Sequence, residues 1–232
     1  MIVSRKHLVI LCPALLLLTG TSIKATTIDL STALPAGNLP DSETIGAFTM
    51  TGWTVSKANN TVWSNLNVIL NNRLDLPNDS GIGICSPLTP PSCPSSGNGN
   101  INEIDNNGST FEVLRFDFSV PTLVNSFGLS SLDSGLKDGF AIFGSNTAQP
   151  TISGLTALAS GTNTSTGSIN PTISINQSFR YFFVTSLNRG TTSSGSDFLV
   201  KTVTYTPEPI TISLVGLGLL VLGALRPKAP RK

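Results

Sequence analysis

The segment Phe111-Glu-Val-Leu-Arg-Phe-Asp-Phe-Ser-Val120 carries the strongest structural signal in this chain. Apolar and polar residues alternate around Phe116 and Phe118, and the segment 172–184 begins with the same alternation. A period of two is typical of a β-strand that places one face in a core. We therefore predict strands in both segments. The same criteria predict further strands at 27–30, 47–57, 65–70, 82–85, 124–130, 139–143 and 198–205.

These strands favour an all-β fold. About nine short strands are separated by clusters of Gly, Pro, Asn and Ser, and no convincing amphipathic helix accompanies them. This pattern predicts an antiparallel β-sandwich of jelly-roll type over residues 26–206. All eleven Phe and both Trp lie in that range. Roughly 180 residues suffice for one such core, so we expect a single domain.

The composition limits the chemistry of this domain. The chain has 232 residues, of which 12% are charged, about half the ~25% of an average globular protein. Ser, Thr, Asn and Gly make up much of the remainder, which is typical of extracellular β proteins. The single histidine is His7, in the N-terminal segment. If that segment is removed, histidine-dependent triads and histidine-ligated zinc or iron sites are excluded.

Residues 1–25 have the organisation of a secretory signal peptide. Two basic residues precede an apolar run at 8–18, and Ile23-Lys24-Ala25 offers a cleavage site. The alternative is an uncleaved anchor helix, for which the run is shorter than the ~20 apolar residues that a span prefers. We therefore expect an exported protein that begins near Thr26.

The C-terminus has three parts. Pro207-Glu208-Pro209 is followed by an uncharged apolar stretch at 210–225 and then by a basic tail at 226–232. Sixteen residues of α-helix reach only about 24 Å, short of the ~30 Å of a hydrocarbon core. The basic tail favours the cytoplasmic side, which places the residues before Pro207 outside. We predict a single hydrophobic transmembrane helix over 210–225.

This arrangement resembles the PEP-CTERM sorting signal of exported bacterial proteins. Pro207, Glu208 and Pro209, the apolar stretch and the basic terminus match that signal in order and spacing. The resemblance implies recognition by an exosortase, a membrane protease that resembles a transpeptidase, and delivery to the cell envelope or to extracellular matrix. An ordinary membrane anchor with a proline-stiffened stalk is the alternative. Segments within 82–116, 139–144 and 197–201 also look similar to PEP-CTERM surface domains.

The charge of the middle region excludes one class of partner. Between residues 26 and 206 there are seven Lys and Arg against twelve Asp and Glu, a net charge of −5. A basic footprint for nucleic acid is absent. We therefore reject DNA or RNA binding.

Cys85 and Cys93 flank a proline-rich segment of seven residues. In the oxidising compartment of an exported protein they are expected to form a disulfide. Closing so short a loop stabilises a protein by roughly 2.5 kcal/mol in the chain-entropy model, which fits a structural bridge better than a redox device.

Three carboxylates are close in sequence at Glu103, Asp105 and Glu112. Oxygen ligands in a loop beside a strand suit Ca²⁺, the only cofactor that the sequence suggests, although no EF-hand spacing is present. The alternative is that Glu103 and Asp105 hold a turn through hydrogen bonds to backbone amides. A glycoside hydrolase would use Glu103 and Glu112 as its two catalytic carboxylates. However, any chain with twelve Asp and Glu residues contains pairs of carboxylates that could be chosen in this way. We expect no enzyme activity and no catalytic residues.

Trp63 is the candidate platform for a glycan. It lies in Asn60-Thr-Val-Trp-Ser64, where polar residues flank it, and an exposed aromatic ring can stack on a sugar. The alternative is a core tryptophan. We predict an exported surface or extracellular-matrix protein with a structural or adhesive role. The alternatives are a carbohydrate-binding module and a carboxylate hydrolase, and the expected partners are an exosortase, the membrane and extracellular polysaccharide.

Overall fold

The computed structural model describes residues 24–58, 63–64, 68–76, 79–85, 103–106, 110–133, 139–148, 152–187 and 197–207. Ala25–Thr206 forms one compact unit. The strands are β1 (Thr26–Asp29), β2 (Gly37–Asn38), β3 (Ser42–Ile45), β4 (Phe48–Ser56), β5 (Trp63–Ser64), β6 (Ile69–Leu76), β7 (Asp79–Cys85), β8 (Thr110–Ser130), β9 (Gly139–Ser145), β10 (Ala157–Thr162), β11 (Thr172–Ser186) and β12 (Leu199–Thr206). One short helix, α1 (Leu30–Ala33), is present in the described residues.

Two long strands organise the molecule. β8 has 21 residues and pairs with β11 along most of its length. The first half of β8 also pairs with β4, from Phe48 opposite Phe118 to Ser56 opposite Thr110. The second half pairs with β12, from Leu199 opposite Ser130 to Thr206 opposite Leu123. Two register shifts near the middle of this pairing mark irregularities, one with its extra residue in β11 at 175–176 and one with its extra residues in β8 at 118–121. Such bulges bend strands and increase their twist.

The hydrogen-bonded sheet therefore has two halves that share β8 and β11. The first half contains β10, β9, the end of β11, the start of β8, β4, β3 and β5. The second half contains the other ends of β8 and β11 together with β12, β7, β6, β2 and β1. All the strand pairs are antiparallel. The predicted antiparallel β-sandwich class agrees with this architecture.

The main core lies between the two halves. Phe116, on β8, has no exposed surface and packs against Phe48 with ring centres 5.5 Å apart. It also contacts Phe127 from the second half of the same strand, at 5.1 Å. Phe182 on β11 joins this aromatic cluster through Phe118 and Phe127. Because side chains alternate along a strand, the residues next to these inward-facing ones point to the opposite face of the sheet.

That opposite face of the first half is also largely covered. A second apolar cluster contains Phe111 and Val113 from β8, Phe143 from β9 and Phe183 from β11. Ile152, from the segment before β10, is 2% exposed and belongs to the same cluster. The first half of the sheet is thus buried on both faces over part of its area, which explains why Glu-Val-Leu in β8 does not alternate cleanly.

The observed strands differ from the predicted ones in several places. The predicted strands 111–120 and 124–130 are one continuous strand: the exposed residues 119–121 lie between the part of β8 that pairs with β4 and the part that pairs with β12, so Pro121 removes no ladder hydrogen bond. The predicted strand 27–30 ends at Asp29, whose carboxylate accepts the Ser31 backbone N–H at 3.0 Å and starts α1. Of the strand predicted at 65–70, residues 65–67 lie outside the described residues, and the observed strand β6 continues to Leu76. The strands β2, β3, β5 and β10 were not predicted.

The two predicted terminal signals lie largely outside the described residues. Residues 1–23 and 208–232 are not described, so the signal peptide and the transmembrane helix at 210–225 stay predictions. Within the part of the chain that is described, no helix has the length and apolar character needed to cross a membrane.

Replacing Phe116 tests the main core. We expect Phe116→Ala to lower the free energy of unfolding by about 3–5 kcal/mol, because it leaves a cavity between the two halves. Urea denaturation followed by fluorescence measures the change. Leu123→Ala is the matched control: Leu123 is 37% exposed on the same strand, and its removal should cost about 1 kcal/mol or less. Equal losses in the two variants would contradict this assignment of the core.

Candidate functional site

Arg115 lies on the outer face of the first half of the sheet. Thr51 of β4 and Phe183 of β11 are its direct cross-strand neighbours. Its guanidinium carbon is 5.3 Å from the centre of the Trp53 ring and 5.8 Å from the centre of the Tyr181 ring. Both distances are within the range of cation–π attraction. A charged side chain therefore lies beside two aromatic rings on the face that also contains the second apolar cluster.

A second arginine lies beside the same tyrosine. The guanidinium carbon of Arg180 is 4.9 Å from the Tyr181 ring centre. Its side chain is 43% exposed, and its Nε donates to Asp117 Oδ1 at 3.5 Å. An ion pair of this length at the surface contributes little to stability. The Arg180 guanidinium is thus available to solvent and to a ligand.

Trp63 belongs to the same region. It lies opposite Val55 in the two-residue strand β5. Its ring packs edge-on against Trp53 and against Phe183, each with ring centres 5.8 Å apart. Trp63 is partly buried, so it is neither the isolated exposed platform nor the fully buried core residue of the two sequence-based interpretations. We call Trp53, Trp63, Arg115, Arg180 and Tyr181 the aromatic–arginine face.

Three nitrogens of this face have no hydrogen-bond partner. They are Nε1 of Trp53, Nε1 of Trp63 and Nε of Arg115, each buried without an acceptor among the described residues. A buried N–H without an acceptor costs free energy, and most such groups in proteins find a protein, water or ligand oxygen. In the described structure these three N–H groups are therefore buried without compensation, which makes this face locally unfavourable for stability.

Hydroxyl groups extend the face toward β3. Thr51 and Thr49 lie on the same side of β4 as Trp53, because they are two and four residues from it. The Thr51 hydroxyl is 3.3 Å from that of Ser42, and the Thr49 hydroxyl is 2.9 Å from that of Thr44. A ladder of polar oxygens therefore continues from the aromatic rings to the edge of the sheet.

Glu103 is in a different, buried cluster. It is 4% exposed, and its Oε1 accepts hydrogen bonds from Arg73 Nη1 and from the Ser131 hydroxyl, the latter at 3.0 Å. Arg73 also pairs with Asp79 at 2.5 Å. Burial and the nearby Asp197 raise the pKa of Glu103 to about 8, and they outweigh the opposite effect of Arg73.

Glu112 and Asp105 form a separate turn. The Asp105 backbone N–H donates to Glu112 Oε2 at 3.0 Å, and the Glu112 N–H donates to the Asp105 carbonyl at 3.0 Å. Glu112 is 4% exposed. Glu112 therefore accepts a backbone amide in this turn, a role that the sequence suggested for Glu103 and Asp105.

The predicted calcium set is not assembled in the part of the chain that is described. There, no group of three or more His, Cys, Asp or Glu side chains is placed to hold a metal ion. Glu103 is bound to Arg73 and Ser131, whereas Glu112 is bound to the turn at Asp105. The same contacts engage both carboxylates that a glycoside hydrolase would use, and each is buried.

The other predicted residues are described only in part. Cys85 ends β7, is 6% exposed and is disulfide-bonded. Cys93 lies outside the described residues, so the Cys85–Cys93 pairing stays a prediction. Pro207 is described, whereas Glu208 and Pro209 are not.

Comparison with known proteins gives no family. No protein-family model matches the chain, and no curated protein matches it. Among solved structures, the K2 cleaved adhesin domain of Lys-gingipain matches at 14% identity and a TM-score of 0.43, covering 79% of this chain and 100% of that one. The K1 adhesin domain of Lys-gingipain from Porphyromonas gingivalis W83 matches at 13% and 0.38, covering 79% and 99%.

A third match is a three-domain fragment of Clostridium perfringens ZmpB with two CBM32 domains and an M60 catalytic domain. The identity is 13% and the TM-score 0.31, and the match covers 85% of this chain and 18% of that one. All three TM-scores are below 0.5.

The pH dependence of stability tests the Glu103 cluster. The ordinary pKa of Glu103 is 4.5 and its folded value about 8, so the folded protein holds a proton that the unfolded chain releases between these values. This contribution to stability is complete below pH 4.5 and is lost as the pH rises through 8. Glu103→Gln imitates the protonated form. We expect the Tm of this variant, relative to the original protein, to increase steadily from pH 5 to pH 8.5 in thermal denaturation.

Glu43→Gln, on the edge strand β3, is the matched control. It also removes one carboxylate, but Glu43 is only partly buried. Its Tm difference from the original protein should stay nearly constant over the same range. A constant difference for Glu103→Gln as well would show that Glu103 is ionised in the folded state at neutral pH.

Proposed function

We propose that this chain is an exported bacterial protein of the cell envelope or extracellular matrix, sorted through a PEP-CTERM signal and serving a structural or adhesive role. In this proposal, residues 1–25 direct export and residues 207–232 are recognised by an exosortase in the membrane. The domain at 26–206 is the functional part that is displayed, and it has no catalytic role.

The pairing of the first and last strands carries this proposal. β1 begins at Thr26 and β12 ends at Thr206, and Thr26 lies opposite Tyr205 in the ladder. Both chain ends of the domain therefore emerge at one position of the sheet, at the two boundaries that the terminal signals predict. Cleavage of residues 1–25 or of residues 207–232 would leave every hydrogen bond between β1 and β12 in place, as expected for segments that are removed by proteolysis.

A specific observation favours a second role, carbohydrate binding. The partly exposed Trp63 contacts Trp53 and Phe183, and hydroxyl groups of β3 and β4 continue the face. Aromatic rings with adjacent polar groups are common at binding surfaces. An adhesive role is compatible with such a face. A carboxylate hydrolase is not supported, because Glu103 and Glu112 are both buried and hydrogen-bonded.

Mass spectrometry of the protein purified from its own host tests the sorting proposal. We expect the mature chain to end near Pro207–Pro209 and to lack 210–232, because the exosortase cleaves at the motif. Glu208→Ala is expected to leave the tail attached. A mature chain that still contains Lys232 in the membrane fraction would indicate an ordinary anchor and contradict exosortase processing.

A further inference from the structure

The aromatic–arginine face is the strongest unassigned feature of the molecule. It combines two guanidinium groups and two half-buried tryptophan rings on one side of the sheet, around the Tyr181 ring, which is itself only 5% exposed. We propose that this face binds an acidic polysaccharide, with Arg115 and Arg180 contacting the carboxylates of uronate residues and the rings of Trp53 and Trp63 packing against the sugars. This inference builds on the proposed adhesive function and names its ligand class.

The charge distribution favours an anionic ligand. The region 26–206 has a net charge of −5, yet two arginines lie together here. Asp117 is the acid that pairs with Arg180, and its side chain is 26% exposed. Arg73 is the contrasting case, because its guanidinium pairs with two carboxylates in the buried cluster. The two arginines of the aromatic–arginine face thus share one carboxylate in the described structure, which leaves the face with one excess positive charge.

The geometry favours a polymer of sugars over a simple anion. The guanidinium carbons of Arg115 and Arg180 lie 5.8 and 4.9 Å from one ring centre, that of Tyr181. They are therefore no more than about 11 Å apart, within the reach of carboxylates on adjacent sugars of a chain. A guanidinium can bind a carboxylate with two parallel hydrogen bonds. The half-buried ring of Trp53 and the hydroxyl of Thr49, which is not fully buried, provide the apolar and polar contacts that a sugar needs.

The position on the sheet also suits an extended ligand. From Trp63 through Trp53 and Arg115 to Arg180, the face crosses β5, β4, β8 and β11, four adjacent strands. Neighbouring strands are about 4.8 Å apart, so the face is several sugar units long. A small ion would need one arginine, whereas this arrangement has binding groups on each of these strands.

Binding of polygalacturonate to the full-length protein, measured by surface plasmon resonance, tests the inference. We expect binding that weakens as salt increases, since salt screens the contacts between carboxylates and arginines. Arg180→Gln should reduce the affinity about tenfold through loss of a charge-assisted contact. Arg180→Lys keeps the charge but loses the planar fork, so we expect it to recover only part of the affinity.

The controls separate this inference from simpler explanations. Lys201→Gln removes the same charge from β12, in the second half of the sheet, and should leave the affinity unchanged. Polyglutamate has the carboxylates without sugars, and dextran has the sugars without carboxylates; both should bind at least tenfold more weakly than polygalacturonate. Because Arg180 is 43% exposed, its variants are expected to fold, which thermal denaturation checks.

Three results would overturn the inference. They are no binding of polygalacturonate, equal affinity of the Arg180→Gln variant and the original protein, and equal binding of polyglutamate and polygalacturonate. Failure of C-terminal processing is a separate outcome. A protein that retains Lys232 in its host and still binds polygalacturonate through Arg180 contradicts the sorting proposal but supports this one.

Discussion

The antiparallel pairing of β8 with β11 is the interaction on which the other parts of the domain depend. β4 and β12 add to β8, β9 adds to β11, and the remaining strands add to these. Because β8 and β11 continue through both halves of the sheet, they also determine which side chains face the core. A shift of one residue in their register would exchange Phe116 and Arg115 between the inner and outer faces. The core and the candidate site are therefore fixed by the same ladder.

Two charged residues, Arg115 and Glu103, have very different surroundings in this domain. Arg115 is on a face that the sheet half-buries, and two aromatic rings compensate for its partial loss of water. Glu103 is in a loop that packs against the start of β12, where the Ile104 N–H donates to the Phe198 carbonyl at 2.8 Å. There burial next to Asp197 raises the pKa of Glu103 and favours its neutral form. The surroundings of Arg115 therefore keep a positive charge at the sheet face, whereas the surroundings of Glu103 disfavour its negative charge.

The sequence predicts the all-β class, and it predicts the strands well where apolar and polar residues alternate, as around Phe116 and Phe118. It does not predict that Pro121 lies within a continuous strand, because this depends on the break in register that leaves residues 118–121 of β8 without β11 partners. It also misses α1, which depends on the capping carboxylate of Asp29. The aromatic–arginine face has a weak sequence signal, since Arg115 is a charged residue in phase with Phe111 and Val113. Its neighbours Thr51 and Phe183 are each more than 60 residues away, and only strand pairing reveals them.

The contrast between net charge and local charge has a consequence for recognition. An anionic polymer approaching an acidic domain is repelled at long range, but at about 0.15 M ionic strength charges separated by more than about 8 Å are largely screened. Within that distance of the face, the polymer meets two arginines and one paired aspartate. The affinity is then determined by direct contacts between the polymer and the face, and not by long-range electrostatic attraction. Because short-range contacts depend on shape, the rings and hydroxyls around Arg115 become as important as its charge, and this favours a sugar polymer over other polyanions.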